Sequence, residues 1–436
     1  MEIFSRAQQL EAQGREIIHL EFGEPDFSPP PEAAEAVLKS IENKPAGYTH
    51  TQGIEQLRVE ITKKYSEDYG IRIDPEQVLV SNGSSLLLFL SVRLLAKPGS
   101  EVILTDPSFA CYENTIRVAG AEPVLIKLHK EEGFQLNLDE PRKNVTTKTS
   151  AILINSPTNP TGVVFTPDVM KGLAELEIPV ISDEIYADLS YEDSPYSFLS
   201  FSDNTIAIHG FSKYYAMTGW RLGYMITPIE WMSAAARLHQ NLMISANDFV
   251  QQAGIAVLQK SGSYCESMKN EFNKRRKYVL NRLSELGMDP GYTPSGAFYV
   301  FYKYPDSTKS SRSLCHEIFE KTCVAIPYQT NHRFVHSIFH RAVYRTFRIV
   351  RRHAHRAFAV LSELFTELLT ELFTSFSHNL HRCFTCVHAV FFSHSFFHIV
   401  FHRVFHTVFH TVFHTVFHTV VHTLYHTVVH TVDQTV

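Results

Sequence analysis

Five short apolar runs, Gln77–Val80, Glu101–Leu104, Ala151–Ile154, Ile178–Ile181 and Thr205–Ile208, alternate with longer amphipathic stretches. Runs of this length and composition read as strands buried on both faces. The stretches between them read as helices. One runs from Ile54 to Tyr69 and stops at Gly70, a glycine suited to the left-handed cap of a helix end. Another starts at Thr166-Pro167, a hydroxyl cap followed by proline at the first helical position. Strand and helix in such regular alternation predict an α/β protein. Its mostly parallel sheet is covered by helices on both faces, giving three layers. Ligands of such sheets lie beyond the carboxyl ends of the strands, so the informative residues should follow each strand.

Composition separates this region from the rest of the 436 residues. The last glycine is Gly296, the last lysine Lys321 and the last proline Pro327, whereas 18 of 24 histidines and 17 of 32 phenylalanines lie in 331–436. Formal charge is −5 overall, which offers no electrostatic reason for nucleic acid as a main partner. Six cysteines are too few for a disulfide scaffold and favour a reducing, cytoplasmic setting. The stretch Met1–Gly14 lacks the apolar run of a signal peptide, and no membrane partner is expected.

The residues that follow the runs carry chemistry. After the first comes Ser81-Asn82-Gly83-Ser84-Ser85 and then the apolar helix Leu86–Leu95. A glycine and two hydroxyls at a helix start can hold a phosphate, or Ser84 and Ser85 can simply cap the helix. After the third comes the turn Asn155–Gly162, in which Asn159 precedes a proline and can project an amide into a cleft or serve the turn alone. After the fourth comes Ser182-Asp183-Glu184-Ile185-Tyr186. A carboxylate placed there needs a cationic partner, such as a protonated heterocyclic nitrogen, unless Asp183 only caps the next helix. After the fifth come Gly210-Phe211-Ser212-Lys213 and Gly219-Trp220-Arg221-Leu222-Gly223. A desolvated lysine can attack carbonyls, whereas a solvated one would be ordinary surface. Together these are the partners of pyridoxal phosphate: an amine for the aldehyde, a carboxylate for the ring nitrogen, and a cradle for the phosphate.

With these motifs in this order, residues 15–327 resemble the class I and II aminotransferases, the fold-type I pyridoxal-phosphate enzymes. The resemblance implies a large cofactor-binding domain over 46–287. It implies a smaller α+β domain built from 1–45 and 288–350, with 351–436 as an unusual His/Phe-rich tail. It implies residue roles as well. Gly23, in Ile18–Phe27, meets the substrate carboxylate. Tyr48, with Gly53–Arg58, reaches the cofactor phosphate of a neighbouring subunit, so the enzyme is a homodimer. Gly83, Ser84 and Ser85 form the phosphate loop. Phe109, in Asp106-Pro107-Ser108-Phe109, stacks on the pyridine ring. Asn159 and Tyr186 bond the ring hydroxyl, and Asn159 also meets the substrate carboxylate. Asp183 partners the ring nitrogen, Lys213 forms the Schiff base, and Arg221 binds phosphate. Gly210 stands where the family has serine or threonine, implying one phosphate contact fewer, with the Ser212 hydroxyl nearby.

The implied activity is transfer of an amino group from an L-amino acid to a 2-oxo acid, with Lys213 as general base. A lyase or synthase with the same cofactor shares these residues. A chain that binds cofactor but grips substrate poorly is the third reading. The small domain matches at Pro294–Tyr299 and Val324–Pro327, after which the pattern changes. Arg348, in Phe347-Arg348-Ile349-Val350, is the best match to the arginine that grips the substrate carboxylate. From Phe405 the chain runs in tetrads, Phe-His-Thr-Val four times and then three variants. On neither a strand nor a helix does this give a clean apolar face, so the segment has the character of sequence not selected for a fold. A shifted reading frame would produce it. Cys383-Phe384-Thr385-Cys386 is a lone C-x-x-C, and no metal is expected.

Overall fold

The computed structural model describes residues 2–43, 46–192, 196–303 and 310–326, and the backbone of 334–338. The chain divides after Tyr344; the second unit, Arg345–Val436, holds Arg348, the C-x-x-C pair and the tetrads, all outside the described residues.

Eleven strands occur among the described residues: β1 (Ile18–His19), β2 (Val78–Ser81), β3 (Glu101–Asp106), β4 (Glu122–Lys127), β5 (Thr149–Asn155), β6 (Val180–Asp183), β7 (Thr205–Gly210), β8 (Gly223–Ile226), β9 (Tyr299–Lys303), β10 (Val324–Ala325) and β11 (Phe334–Ile338). Seven of them form one sheet in the order β2-β8-β7-β6-β5-β3-β4. β7, β6, β5, β3 and β4 are mutually parallel, and β8 runs antiparallel to both β2 and β7. The expected mostly parallel sheet is therefore present, with β8 as its one reversed strand.

Both sheet faces are covered. The main helices are α1 (Glu2–Glu11), α2 (Pro31–Asn43), α3 (Glu55–Tyr69), α4 (Ser84–Leu95), α5 (Cys111–Val118), α6 (Asp139–Asn144), α7 (Pro167–Ala174), α8 (Ile229–Met243), α9 (Asp248–Lys260), α10 (Gly262–Glu285) and α11 (Ser311–Thr322). Val102 and Leu104 of β3, with Ala151 and Leu153 of β5, pack with Leu87, Tyr112, Ile116 and Met232 from α4, α5 and α8. The intervening residues Ile103, Ile152 and Ile154 pack on the opposite face with Val169, Met170 and Leu173 of α7. The two-residue period of a strand thus buries consecutive residues in two different cores, which is why these strands read as unbroken apolar runs. Gly70 ends α3 in the left-handed region at φ 69°, and Thr166 accepts from the Val169 N–H at 3.4 Å at the start of α7.

A smaller assembly joins the two ends of the first unit. β1 pairs with β10, Ile18 opposite Val324, while Ile3, Ala7 and Leu10 of α1 bury themselves with Leu314, Cys315 and Phe319 of α11. β9 and β11 form an antiparallel pair. Gly23 and Glu24, which follow β1, meet Lys213 and Thr218 in the loop after β7. Among the described residues no helix is long and apolar enough to cross a membrane, and no cluster of three or more metal-ligating side chains occurs.

Candidate active site

Six strands run the same way and end at one edge, and the reversed β8 begins there. That topology brings residues distant in sequence together. Lys213 follows β7, and its Nζ donates to the Gly23 carbonyl at 2.5 Å. It lies 5.7 Å from the centre of the Tyr186 ring and 5.9 Å from that of Phe298. Enclosure of the amine lowers its pKa to about 8, against the upward pull of Glu24 and Asp183, and Arg221 lowers it further. A lysine of this kind is a nucleophile and a base near neutral pH.

Asp183 ends β6 and is 4% exposed. Its Oδ2 accepts from the Tyr112 hydroxyl at 2.7 Å and its Oδ1 from the Ile185 N–H at 3.2 Å. Burial pushes its pKa up to about 6, while Tyr112, the Ile185 N–H and Lys213 act to lower it. The carboxylate next to it serves a different cluster. Glu184 Oε1 accepts from Ser182 Oγ at 2.9 Å, Ser197 Oγ at 3.0 Å and the Phe198 N–H at 2.8 Å. Of these two adjacent carboxylates, Asp183 is the one that acts on Lys213.

Tyr186 begins the short helical turn after β6 and is buried. Its hydroxyl meets that of Tyr299 at 2.6 Å, and Asn159 Nδ2 donates to the Tyr299 oxygen at 3.4 Å. The Asn159 backbone N–H is itself held by Asn155 Oδ1 at 2.7 Å, which fixes the turn after β5. Gly23 is required here, because a Cβ would fall on the Tyr299 hydroxyl.

Gly83 caps α4 at φ 91°, so the turn into the helix needs a residue without a side chain. A Cβ there would lie 2.5 Å from Arg221 Nη2. The guanidinium therefore sits directly over the helix start, with Ser84 and Ser85 in the first turn. Arg221 is exposed, adopts φ 56° and donates through Nη1 to the Thr218 carbonyl at 2.9 Å. Glycine, two hydroxyls, the helix N–H groups and an arginine together form an anion cradle. A cleft of about 750 Å³ opens beside it, lined by Glu24, Phe27, Asn82, Thr218, Trp220 and Arg221 among others.

The remaining candidates divide. Phe109 follows β3, packs on the core below α4 and stands edge-on to Tyr112 at 5.4 Å. Ser212 is buried next to Lys213. At Gly210 a Cβ would lie 3.0 Å from the Leu222 carbonyl oxygen and 3.1 Å from Gly223 Cα, so the β7–β8 contact leaves little room for a serine. Tyr48 stands apart from this set, 85% exposed. Arg348 lies outside the described residues. Sequence reading did not single out Tyr112 or Tyr299. The first stands three residues after Phe109, and the second closes the Pro294–Tyr299 segment.

An amine of lowered pKa near a buried carboxylate, with hydroxyls, helix N–H groups and an arginine on the same edge, is a set of groups that could hold a phosphorylated carbonyl compound with a basic ring. The family model for aminotransferase class I and II matches residues 15–344, and the chain belongs to that family. It is 38% identical over 330 residues to a (5-formylfuran-3-yl)methyl phosphate transaminase of Methanocaldococcus jannaschii, covering 75% of this chain and 86% of that one. It is 35% identical to an aspartate aminotransferase of Pyrococcus horikoshii over 333 residues, 74% of this chain and 84% of the relative. The crystal structure of an aspartate aminotransferase from Thermotoga maritima superposes with a TM-score of 0.74 at 34% identity, covering 78% of this chain and 91% of that one. The fold and the enzyme class expected from the residues are thus established: this is an α/β aminotransferase.

Proposed function

We propose that this edge of the sheet holds pyridoxal phosphate and that the enzyme moves an amino group from an L-amino acid to a 2-oxo acid. The observation that carries this reading is that Lys213, its pKa lowered to about 8, and the buried Asp183 lie at the same strand ends, near enough for each charge to act on the other. The donor set fits the group. The Gly83–Ser85 cradle and Arg221 take the phosphate dianion. Asp183 opposes a cationic ring nitrogen, and Tyr186 and Asn159 supply donors for the ring hydroxyl. Phe109 offers an aromatic face. When bound, the cofactor supplies an aldehyde for the amine and a ring that accepts the electron pair left by a departing Cα proton. Lys213 would take that proton and hold it for return, a general base whose lowered pKa suits it to neutral pH. Ser212 offers a further hydroxyl beside the lysine. Gly23 is proposed to meet a substrate carboxylate, and Arg348, outside the described residues, is proposed as that carboxylate's partner.

A homodimer belongs to the same reading. The exposed Tyr48 is free to reach a neighbouring copy, where it would meet the phosphate.

Several donors are suggested by the relatives, so the test is a panel of amino acids, aspartate first, with 2-oxoglutarate. Formation of the donor's 2-oxo acid together with glutamate supports the reading. Release of a different product without an amino acceptor would contradict it and favour a lyase.

Two further results are expected. Cofactor uptake by the cofactor-free protein should follow the unprotonated fraction of Lys213. The rate rises with pH, about tenfold per unit, until it levels off above about 8. A rapid-mixing pH series measures this. Gly83→Ala should weaken cofactor binding by about tenfold or more, through strain at positive φ and displacement of Arg221. Equilibrium titration of the cofactor-free variant reads that loss directly.

A further inference from the structure

We propose that Tyr112 is a positioning residue for Asp183: its hydroxyl fixes the carboxylate and keeps it anionic for a cationic ring nitrogen. This rests on the reading of the site as a pyridoxal-phosphate site.

The geometry is specific. Each oxygen of Asp183 receives one donor from a different element, Oδ2 from Tyr112 at 2.7 Å and Oδ1 from the Ile185 N–H at 3.2 Å. Two donors on two oxygens hold the plane of the carboxylate, whereas one would leave it free to turn. Tyr112 cannot follow such a turn. It is 1% exposed, packed among the core residues of α4 and α5, and set edge-on to Phe109 at 5.4 Å and 82°. Its backbone N–H donates to the Phe109 carbonyl at 3.0 Å. One turn of chain therefore places both the candidate ring-stacking residue and the donor to the candidate ring partner.

The electrostatics agree. Burial would leave Asp183 protonated over much of the acid range, and three groups oppose that: Tyr112, the Ile185 N–H and Lys213. Tyr186 and Glu184 also face this cluster, and neither is among the groups that favour the anion. Lys213 is neutral for much of its working cycle if it acts as a base. Among the described residues, Tyr112 is then the side-chain donor that favours the anion throughout. Its own pKa lies well above the ordinary phenol value, chiefly through burial and then through Asp183, so it remains a donor.

Tyr112→Phe removes one oxygen and keeps the buried ring, so the core contacts survive. The first readout needs no cofactor. In cofactor-free protein carrying ¹³C-labelled aspartate, the Asp183 carboxyl resonance, assigned with Asp183→Asn, is titrated by NMR. Loss of a hydrogen bond to a charged acceptor should move its midpoint up by about one unit or more. In the protein loaded with pyridoxal phosphate, the acid limb of kcat should shift in the same direction. Turnover at pH 7 should fall by about tenfold, with KM for the amino donor little changed. An unmoved midpoint overturns the proposal, and so does a moved midpoint with unaltered turnover. Failure of the cofactor reading is seen separately, in the wild-type protein, as no covalent uptake at all.

Discussion

Lys213→Ala should lose transamination by about four orders of magnitude or more, because one substitution removes both the nucleophile and the base. The protein should nevertheless fold. The amine stands in an enclosed setting that already disfavours its charge, and its one hydrogen bond is to the Gly23 carbonyl. Losing it removes no ion pair, so thermal unfolding of the cofactor-free variant should remain within a few degrees of wild type. The visible absorbance of lysine-held pyridoxal phosphate should be absent. Added amines should restore a small part of the turnover, since an exogenous base can occupy the space left by the side chain. A fully active variant would remove the basis of the mechanism.

Asp183→Ala should separate binding from chemistry. Lys213 and the Gly83–Arg221 cradle remain, so the covalent absorbance should still form. Turnover should fall by about 10²–10³-fold, the range for removal of one preorganised charge from a buried site. Glu184 cannot replace the lost carboxylate despite being adjacent. Its Oε1 is committed to Ser182, Ser197 and the Phe198 N–H. Steady-state kinetics together with an absorbance spectrum distinguish this result from general loss of structure. Unaltered turnover with the spectrum retained would show that the ring nitrogen needs no anionic partner here.

Much of this arrangement was legible in the sequence, for reasons tied to particular elements. Buried parallel strands such as β5 and β7 announce themselves because both faces need apolar residues, so Ala151–Ile154 and Thr205–Ile208 stand out. β4 did not stand out. It is an edge strand whose pattern over Glu122–Lys127 is mostly exposed, and Pro123 interrupts it. β8, Gly223–Ile226, is no shorter than β2 or β6, but it opens on a glycine directly after the Gly219–Leu222 turn, and its antiparallel direction was invisible because strand pairing is a long-range property. That reversal sets Arg221 above Gly83.

At the site, Lys213 and Asp183 were singled out because charged residues in apolar surroundings are conspicuous, whereas the role of Arg221 came from the resemblance to the aminotransferases. Tyr112 and Tyr299 were not, because a tyrosine in an apolar helix or strand looks like core until its hydroxyl is located. Tyr112 shows both characters, a ring in the core and an oxygen on Asp183. The change of composition after Pro327 was visible, and the roles proposed for Arg348 and the tail fall outside the described residues.

The proposed chemistry depends on one covalent bond, made by the Lys213 amine. Protein loaded with pyridoxal phosphate, reduced with borohydride and digested should yield a single modified peptide, with the pyridoxyl mass on Lys213. Modification confined to another lysine, or none on Lys213 while the loaded protein is active, would contradict it.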